Sequence, residues 1–274
     1  MSLPADFQFS QSSLQDYVDC PRRFQLRYIH QLAWPAIRAE PPLEYERYLQ
    51  QGRFFHRLVH QHMLGIPPSR LSAQITDEEL GRWWRNYLEH GPADLPQARY
   101  VEVLLSAPLG GYRLVAQYDL IALEPGGRAV IVDWKTSRRR HERAWLAGRL
   151  QTRVYLYLLV RAGREFNGGR EFAPEQVEMV YWFTEFPVAP ERFVYHTAQY
   201  QEDGSYLGEL IREIAGRRES VFPLTTEERH CLFCHYRSFC QRGTRAGLLD
   251  EAEEPEDDDF GLTFDLEQLT GFEY

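Results

Sequence analysis

Val130-Ile131-Val132-Asp133-Trp134-Lys135-Thr136 is the stretch from which the rest of the chain can be read. Its first three side chains are apolar and β-branched, the pattern of a buried strand. Side chains two apart on a strand share a face, so Asp133 and Lys135 point the same way, roughly 7 Å apart. Lys135 is also the one lysine in 274 residues, the other thirty basic side chains being arginine. Arginine is a wide, weakly hydrated fork, whereas lysine is a compact ammonium on a flexible stem, so a point charge is placed here and nowhere else. A carboxylate and an ammonium at the end of a buried strand suit metal-dependent phosphodiester chemistry. The same pair also serves as an ordinary strand-end ion pair, which contributes little to stability.

Outward from this strand, Pro125-Gly126-Gly127 turns back to Tyr112–Leu123, which forms a hairpin with Arg99–Leu105 around Gly110-Gly111. On the N-terminal side, two short helices are expected within residues 10–33, with serines at 10, 12 and 13 as caps and Pro21 in a first turn. A linker containing Pro and Glu follows. Helices are then expected over Tyr48–Met63 and over Thr76–Glu89, where the Thr76/Glu79 spacing fits a capping box. On the C-terminal side the pattern gives a helix over Arg143–Arg161, strands over Glu178–Thr184 and Arg192–Thr197, and a helix over Tyr200–Arg217. The fold class is therefore α/β, a sheet flanked by helices, and the chain shows no internal repeat.

The composition, 43% hydrophobic and 26% charged, is that of a globular protein with one core. No basic, then apolar leader opens the sequence, and no run approaches the length of a membrane span, so a cytoplasmic protein without membrane contact is expected. The net charge of −9 is unevenly placed: residues 250–274 hold eleven acids and no Lys or Arg, and without them the body carries +2. Residues 1–249 read as the folded domain and 250–274 as an acidic, disordered tail. A slightly basic body is compatible with phosphate binding.

Four cysteines occur: Cys20, then Cys231, Cys234 and Cys240 in C-x2-C-x5-C spacing. Close cysteines in a cytoplasmic chain hold metal more often than they form disulfides. Four thiolates suit structural zinc or an iron-sulfur cluster, and the spacing does not choose between them. Around the Asp133/Lys135 pair, Asp119 follows an alternating strand, and a hairpin would bring its carboxylate beside Asp133, enough to hold Mg2+ or Mn2+. His56 lies on a helix that can add an imidazole, and Gln151 and Tyr155 share a helix face. Glu102 is a weaker candidate that also reads as a solvated strand residue. Arg138, Arg139 and Arg140 are candidates for the DNA backbone or for a solvated loop, and Trp83 and Trp84 read more readily as core than as stacking residues.

The order His56, Asp119, Asp133-x-Lys135, Gln151-x3-Tyr155, bracketed by Cys20 and the three C-terminal cysteines, resembles the RecB-like branch of the PD-(D/E)xK nuclease superfamily. Within it, the likeness is to the iron-sulfur members: the AddB nuclease domain and the CRISPR-associated exonucleases. Ser13-Leu14-Gln15-Asp16-Tyr17-Val18-Asp19-Cys20-Pro21-Arg22-Arg23-Phe24 is similar to that family's opening, and the likeness runs from about residue 10 to residue 243. Tyr118 before Asp119 and the segment after 243 depart from the pattern.

The resemblance implies a restriction-endonuclease-like core with a central mixed sheet, its N- and C-terminal segments joined by a 4Fe-4S cluster on Cys20, Cys231, Cys234 and Cys240. It implies Mg2+ or Mn2+ held by His56, Asp119, Asp133 and the Trp134 backbone carbonyl. Lys135 would orient or stabilise the attacking water, and Gln151 and Tyr155 would contact DNA near the scissile phosphate. The activity implied is a DNA exonuclease on single-stranded ends, in DNA repair, recombination or CRISPR adaptation, with a helicase or a CRISPR integrase as partner. The alternative is a catalytically weak DNA-binding scaffold of the same fold.

Overall fold

Strand β4 organises the sheet because three other strands pair with it. The structure, a computed structural model, describes residues 3–34, 37–124 and 126–251. In chain order the elements are β1 (Gln8–Phe9), α1 (Gln11–Asp19), α2 (Pro21–Phe24), β2 (Ala39–Glu40), α3 (Pro42–Met63), α4 (Pro68–Ser72), α5 (Glu78–His90), β3 (Ala98–Leu109) and β4 (Tyr112–Leu123). There follow β5 (Ala129–Lys135), α6 (Arg143–Gly148), α7 (Leu150–Ala162), β6 (Val177–Phe183), β7 (Glu191–Val194), α8 (Thr197–Gly216) and β8 (Gly247–Leu248).

Along one edge β4 pairs antiparallel with β3. Its other edge is shared: β1 runs parallel beside Arg113 and Leu114, and β5 runs antiparallel beside Leu120 to Leu123. Between those two partners, residues 115–119 of that edge have no strand beside them among the described residues. β6 is parallel to β5, reached through the helices α6 and α7 as a parallel crossover requires, and β7 closes the sheet antiparallel to β6. The sheet is mixed and carries helices on both faces, as expected. Every residue of β6 is buried, which accounts for its unbroken apolar run.

Two apolar layers hold the sheet. Ala129 and Ile131 of β5 face a layer built with α1, α7 and α8, while Val130, Val132 and Trp134 face one built with α3 and α5. Trp83 and Trp84 are buried in the second layer, so they are core side chains. Parity then places Asp133 and Lys135 on the α7 face.

Several boundaries differ from the sequence reading. β1 is two residues long, too short for any periodicity to betray. α3 begins at Pro42, inside the expected linker, because proline in a first helical turn lacks only an N–H that has no partner there anyway. α5 is capped by Asp77, whose carboxylate accepts the Leu80 N–H at 3.1 Å, rather than by a Thr76/Glu79 box, since Glu79 is drawn to Arg138 at 3.2 Å. The single helix expected over Arg143–Arg161 is broken at Arg149, whose extended backbone (φ −68°, ψ 142°) ends α6 and starts α7. Of the segment 250–274, only Asp250 and Glu251 are among the described residues, and Pro125 of the expected turn is not.

The two ends of the domain are tied by direct bonds. The Arg22 N–H reaches the Pro223 carbonyl at 3.1 Å. The Gln25 amide donates to the Ser220 carbonyl at 3.0 Å and accepts the Phe222 N–H at 2.9 Å. Tyr236 donates its hydroxyl to the Leu32 carbonyl at 2.9 Å, and β2 pairs in parallel with β8.

Replacing Asp77 by alanine removes the α5 cap and is expected to lower unfolding free energy by about 1 kcal/mol in urea titration, whereas Thr76→Ala stays within about 0.3 kcal/mol.

Candidate active site

The unpaired edge of β4 is where the polar side chains collect. Along β4 the regular alternation breaks at Asp119: Tyr118 belongs to the layer under α7, yet Leu120 belongs to the layer under α3. Opposite, the β3–β4 ladder skips the Glu102/Asp119 pair while Val101↔Leu120 and Val103↔Tyr118 are both kept. Glu102 there has φ +52°, a left-handed conformation that non-glycine residues rarely adopt and that tends to be stored at functional sites. The distortion delivers the Asp119 carboxylate into the gap between the splayed strands.

Both oxygens of Asp119 are engaged. Oδ2 accepts the backbone N–H of Trp134 at 2.9 Å, replacing the strand partner that β4 no longer offers, and Oδ1 lies 3.2 Å from His56 Nδ1. His56 is carried by α3, and Gly52, four residues earlier on the same face, lets that helix approach β5. A Cβ at Gly52 would meet Thr136 Oγ1 at 3.1 Å. Asp133, 2% exposed, accepts the Gln151 amide on Oδ1 at 2.7 Å and has the Lys135 ammonium 2.8 Å from Oδ2. Lys135 also lies 5.6 Å from the centre of the Tyr181 ring. Gln151 reaches Asp133 because the break at Arg149 starts a new helix one residue before it.

The two carboxylates are held in opposite senses. Burial works to raise Asp119, but the His56 ring, the Trp134 N–H and Lys135 outweigh it and hold the carboxyl below the usual range. Burial raises Asp133 to about 6, with Asp119 adding to the rise and Lys135 opposing it. Burial is the larger cause of that rise, and the neighbouring Asp119 carboxylate adds to it. Two carboxylates with an imidazole are a suitable donor set for a hard divalent cation.

His56, Asp119, Asp133, Lys135 and Gln151 are thus brought together. Trp134 contributes its N–H, while its indole packs in the aromatic layer of α3 and α5. Tyr155 is 1% exposed and lies against Tyr118, with ring centres 4.7 Å apart. Glu102, ranked low in the sequence, lines one opening with His56, His60 and Asp119. Local desolvation and the Asp119 charge push its carboxyl upward. Its position across the strand pair from Asp119 was the available signal. A second opening is lined by Lys135, Ser137, His141, Trp145, Arg149 and Gln151, among others.

The arginine run divides. Arg138 is drawn to Glu79 at 3.2 Å and Asp250 at 3.5 Å, and Arg140 to Glu191 at 2.7 Å, so these two are ion-paired within the protein. Arg139 lines a large groove of about 970 Å3, together with Arg27, Arg38, Trp34, Trp145 and Arg149.

The four cysteines are free thiols that come from both ends of the chain and line one pocket with Arg23 and Arg237. Burial pushes the Cys234 thiol up to about 11, and the neighbouring cysteines add to the rise at Cys231 and Cys240. Mutual repulsion of thiolates is the environment a cationic centre would relieve. Among the described residues, no group of three or more His, Cys, Asp or Glu is already drawn into metal-holding geometry, at the cysteines or at the carboxylates. Nor is any helix among them long and apolar enough to cross a membrane.

The family described as the PD-(D/E)XK nuclease superfamily matches residues 8–241. No curated protein matches the chain. Two solved structures align with it. SSO0001 shares 16% identity, with 86% of each chain covered and a TM-score of 0.42. A protein of Eubacterium rectale, provisionally described as an exonuclease, shares 13% identity with 93% of this chain and 92% of that one covered, at a TM-score of 0.43.

Asp119→Ala should leave the buried Trp134 N–H without its acceptor and destabilise the metal-free protein by about 1–3 kcal/mol. Asp119→Asn keeps an acceptor oxygen and should cost less than half as much, both values being read from urea unfolding.

Proposed function

The chain belongs to the PD-(D/E)XK nuclease superfamily, and we propose that it is a metal-dependent DNA exonuclease of the RecB-like branch, acting on single-stranded ends. The observation that supports this most is the meeting of Asp119, Asp133 and Lys135 at the splayed end of β4 and β5, with His56 on one side and Gln151 on the other. His56, Asp119, Asp133 and the Trp134 carbonyl would hold Mg2+ or Mn2+. When bound, such an ion neutralises phosphate charge and acidifies water.

The chain's own groups supply the rest. Gln151 fixes the rotamer of Asp133 by donating to Oδ1, and His56 does the same for Asp119. Lys135, pinned beside Asp133 Oδ2, sets an ammonium where it can orient a water for attack on phosphorus and complement charge on the phosphoryl oxygens. Its position within an apolar wall strengthens that interaction. Gln151 and Tyr155, both on α7, would contact DNA near the scissile phosphate. Residues 1–249 form the nuclease unit, with 250–274 an acidic appendage. Cys20, Cys231, Cys234 and Cys240 would hold a 4Fe-4S cluster that adds to the direct bonds already joining the two ends.

End-labelled single-stranded DNA with Mg2+ or Mn2+ should be degraded by the wild-type protein and at least a hundredfold more slowly by Lys135→Ala; equal rates would refute the role of Lys135. Protein purified without oxygen should be brown and contain about four irons per chain. Colourless protein with stoichiometric zinc would overturn the cluster.

A further inference from the structure

One wall between the large groove and the opening beside Lys135 is formed by side chains that no step above uses. Trp145, in α6, and Arg149, in the break before α7, line both spaces. The His141 ring lies flat on the Trp145 indole, with ring centres 4.0 Å apart and an interplanar angle of 17°. The Arg149 guanidinium lies 4.8 Å from the centre of the same indole. Gln151, two residues beyond Arg149, donates to Asp133. The stack is thus shared by the groove and by the opening beside Lys135.

We propose that the outer face of the His141 ring, backed by the Trp145 indole that His141 and Arg149 already cover, stacks the nucleobase next to the scissile phosphate, and that this contact favours unpaired strands. The inference rests on the nuclease reading and names the side chains through which its single-strand preference would act. A flat imidazole on an indole is the same kind of contact that a base makes with an aromatic side chain. Burial, together with Arg149, Arg139 and Lys135, pushes His141 down to about 4, so at neutral pH the ring is uncharged and can act as one layer of a stack. Bases in a duplex are already stacked on one another and paired, whereas an unpaired base offers its face, and such stacking strengthens binding whatever the sequence. Arg149 places a cation against the aromatic wall, and Arg38 and Arg139 add positive charge to a groove in which Arg27 is paired with Asp16 at 3.1 Å.

The alternative is that the stack only packs the start of α6 against the core, since Trp145 is partly buried there. The two are separated with single-stranded oligonucleotides carrying 2-aminopurine at successive positions from either end, mixed with the protein in EDTA so that no cleavage occurs. The wild type and Trp145→Phe should quench the fluorescence of the probe at one position. Trp145→Ala should bind without that quenching. With Mg2+, Trp145→Ala should raise KM for single-stranded DNA about tenfold while leaving kcat within about twofold, and His141→Ala should shift KM in the same direction without disturbing the core contact of Trp145. Equal quenching by Trp145→Ala, or an unchanged KM in both variants, would overturn the stacking contact while leaving the nuclease reading intact. A wild-type protein that neither binds nor cleaves DNA would overturn both.

Discussion

One hydrogen bond carries the consequences for everything around it: the Trp134 N–H to Asp119 Oδ2, at 2.9 Å. Two central strands that part company inside a protein leave backbone donors behind, and a buried donor without a partner costs a substantial fraction of a small domain's stability. Here the side chain of one strand satisfies the backbone of the other. The strands can then diverge after Leu120↔Val132 without penalty, and the carboxylate that performs this structural task is thereby fixed beside Asp133. The demand for backbone satisfaction and the demand for two adjacent carboxylates are met by the same atoms. The left-handed Glu102 and the broken alternation at Asp119 are the local cost of that geometry.

The parts of this arrangement that follow from periodicity were legible in the sequence. Asp133 and Lys135 share a face because they are two apart on a strand, and their contact at 2.8 Å follows from that parity and from the length of a lysine stem. The sheet flanked by helices follows from the order of strand and helix patterns, whereas its mixed pairing was implied only by the family resemblance. The parts that break periodicity were not legible. Nothing in Ala116-Gln117-Tyr118-Asp119-Leu120 announces that faces switch at Asp119, because the switch is imposed by the missing neighbour on one edge. The interruption at Arg149 is equally silent, yet it aims Gln151 at Asp133. The arginines after Lys135 look alike in sequence, and only the positions of Glu79 and Glu191 separate the paired ones from Arg139.

The electrostatics show two acids held in opposite senses. Asp119 is over-supplied with partners and stays ionised, while Asp133 is buried against a second carboxylate and a single ammonium. Such asymmetry between neighbouring acids is a mark of functional sites, where stability is given up for chemistry. The cysteine pocket has the same logic with thiols. Direct bonds from Arg22 to Pro223 and from Tyr236 to Leu32 also join the two ends of the chain that bring Cys20 and the other three cysteines to one pocket.

The use of arginine everywhere but one position has a consequence for reagents. Acylating and reductive-methylating agents attack uncharged primary amines and leave guanidinium groups alone. In this chain such chemistry meets one lysine side chain, Lys135, with 17% of its side chain exposed and the Asp133 carboxylate 2.8 Å away. Apart from the chain's α-amino group, the protein thus offers these reagents one lysine amine. The pace of modification there reports directly on how firmly Asp133 holds the ammonium, and on whatever else comes to compete for that carboxylate.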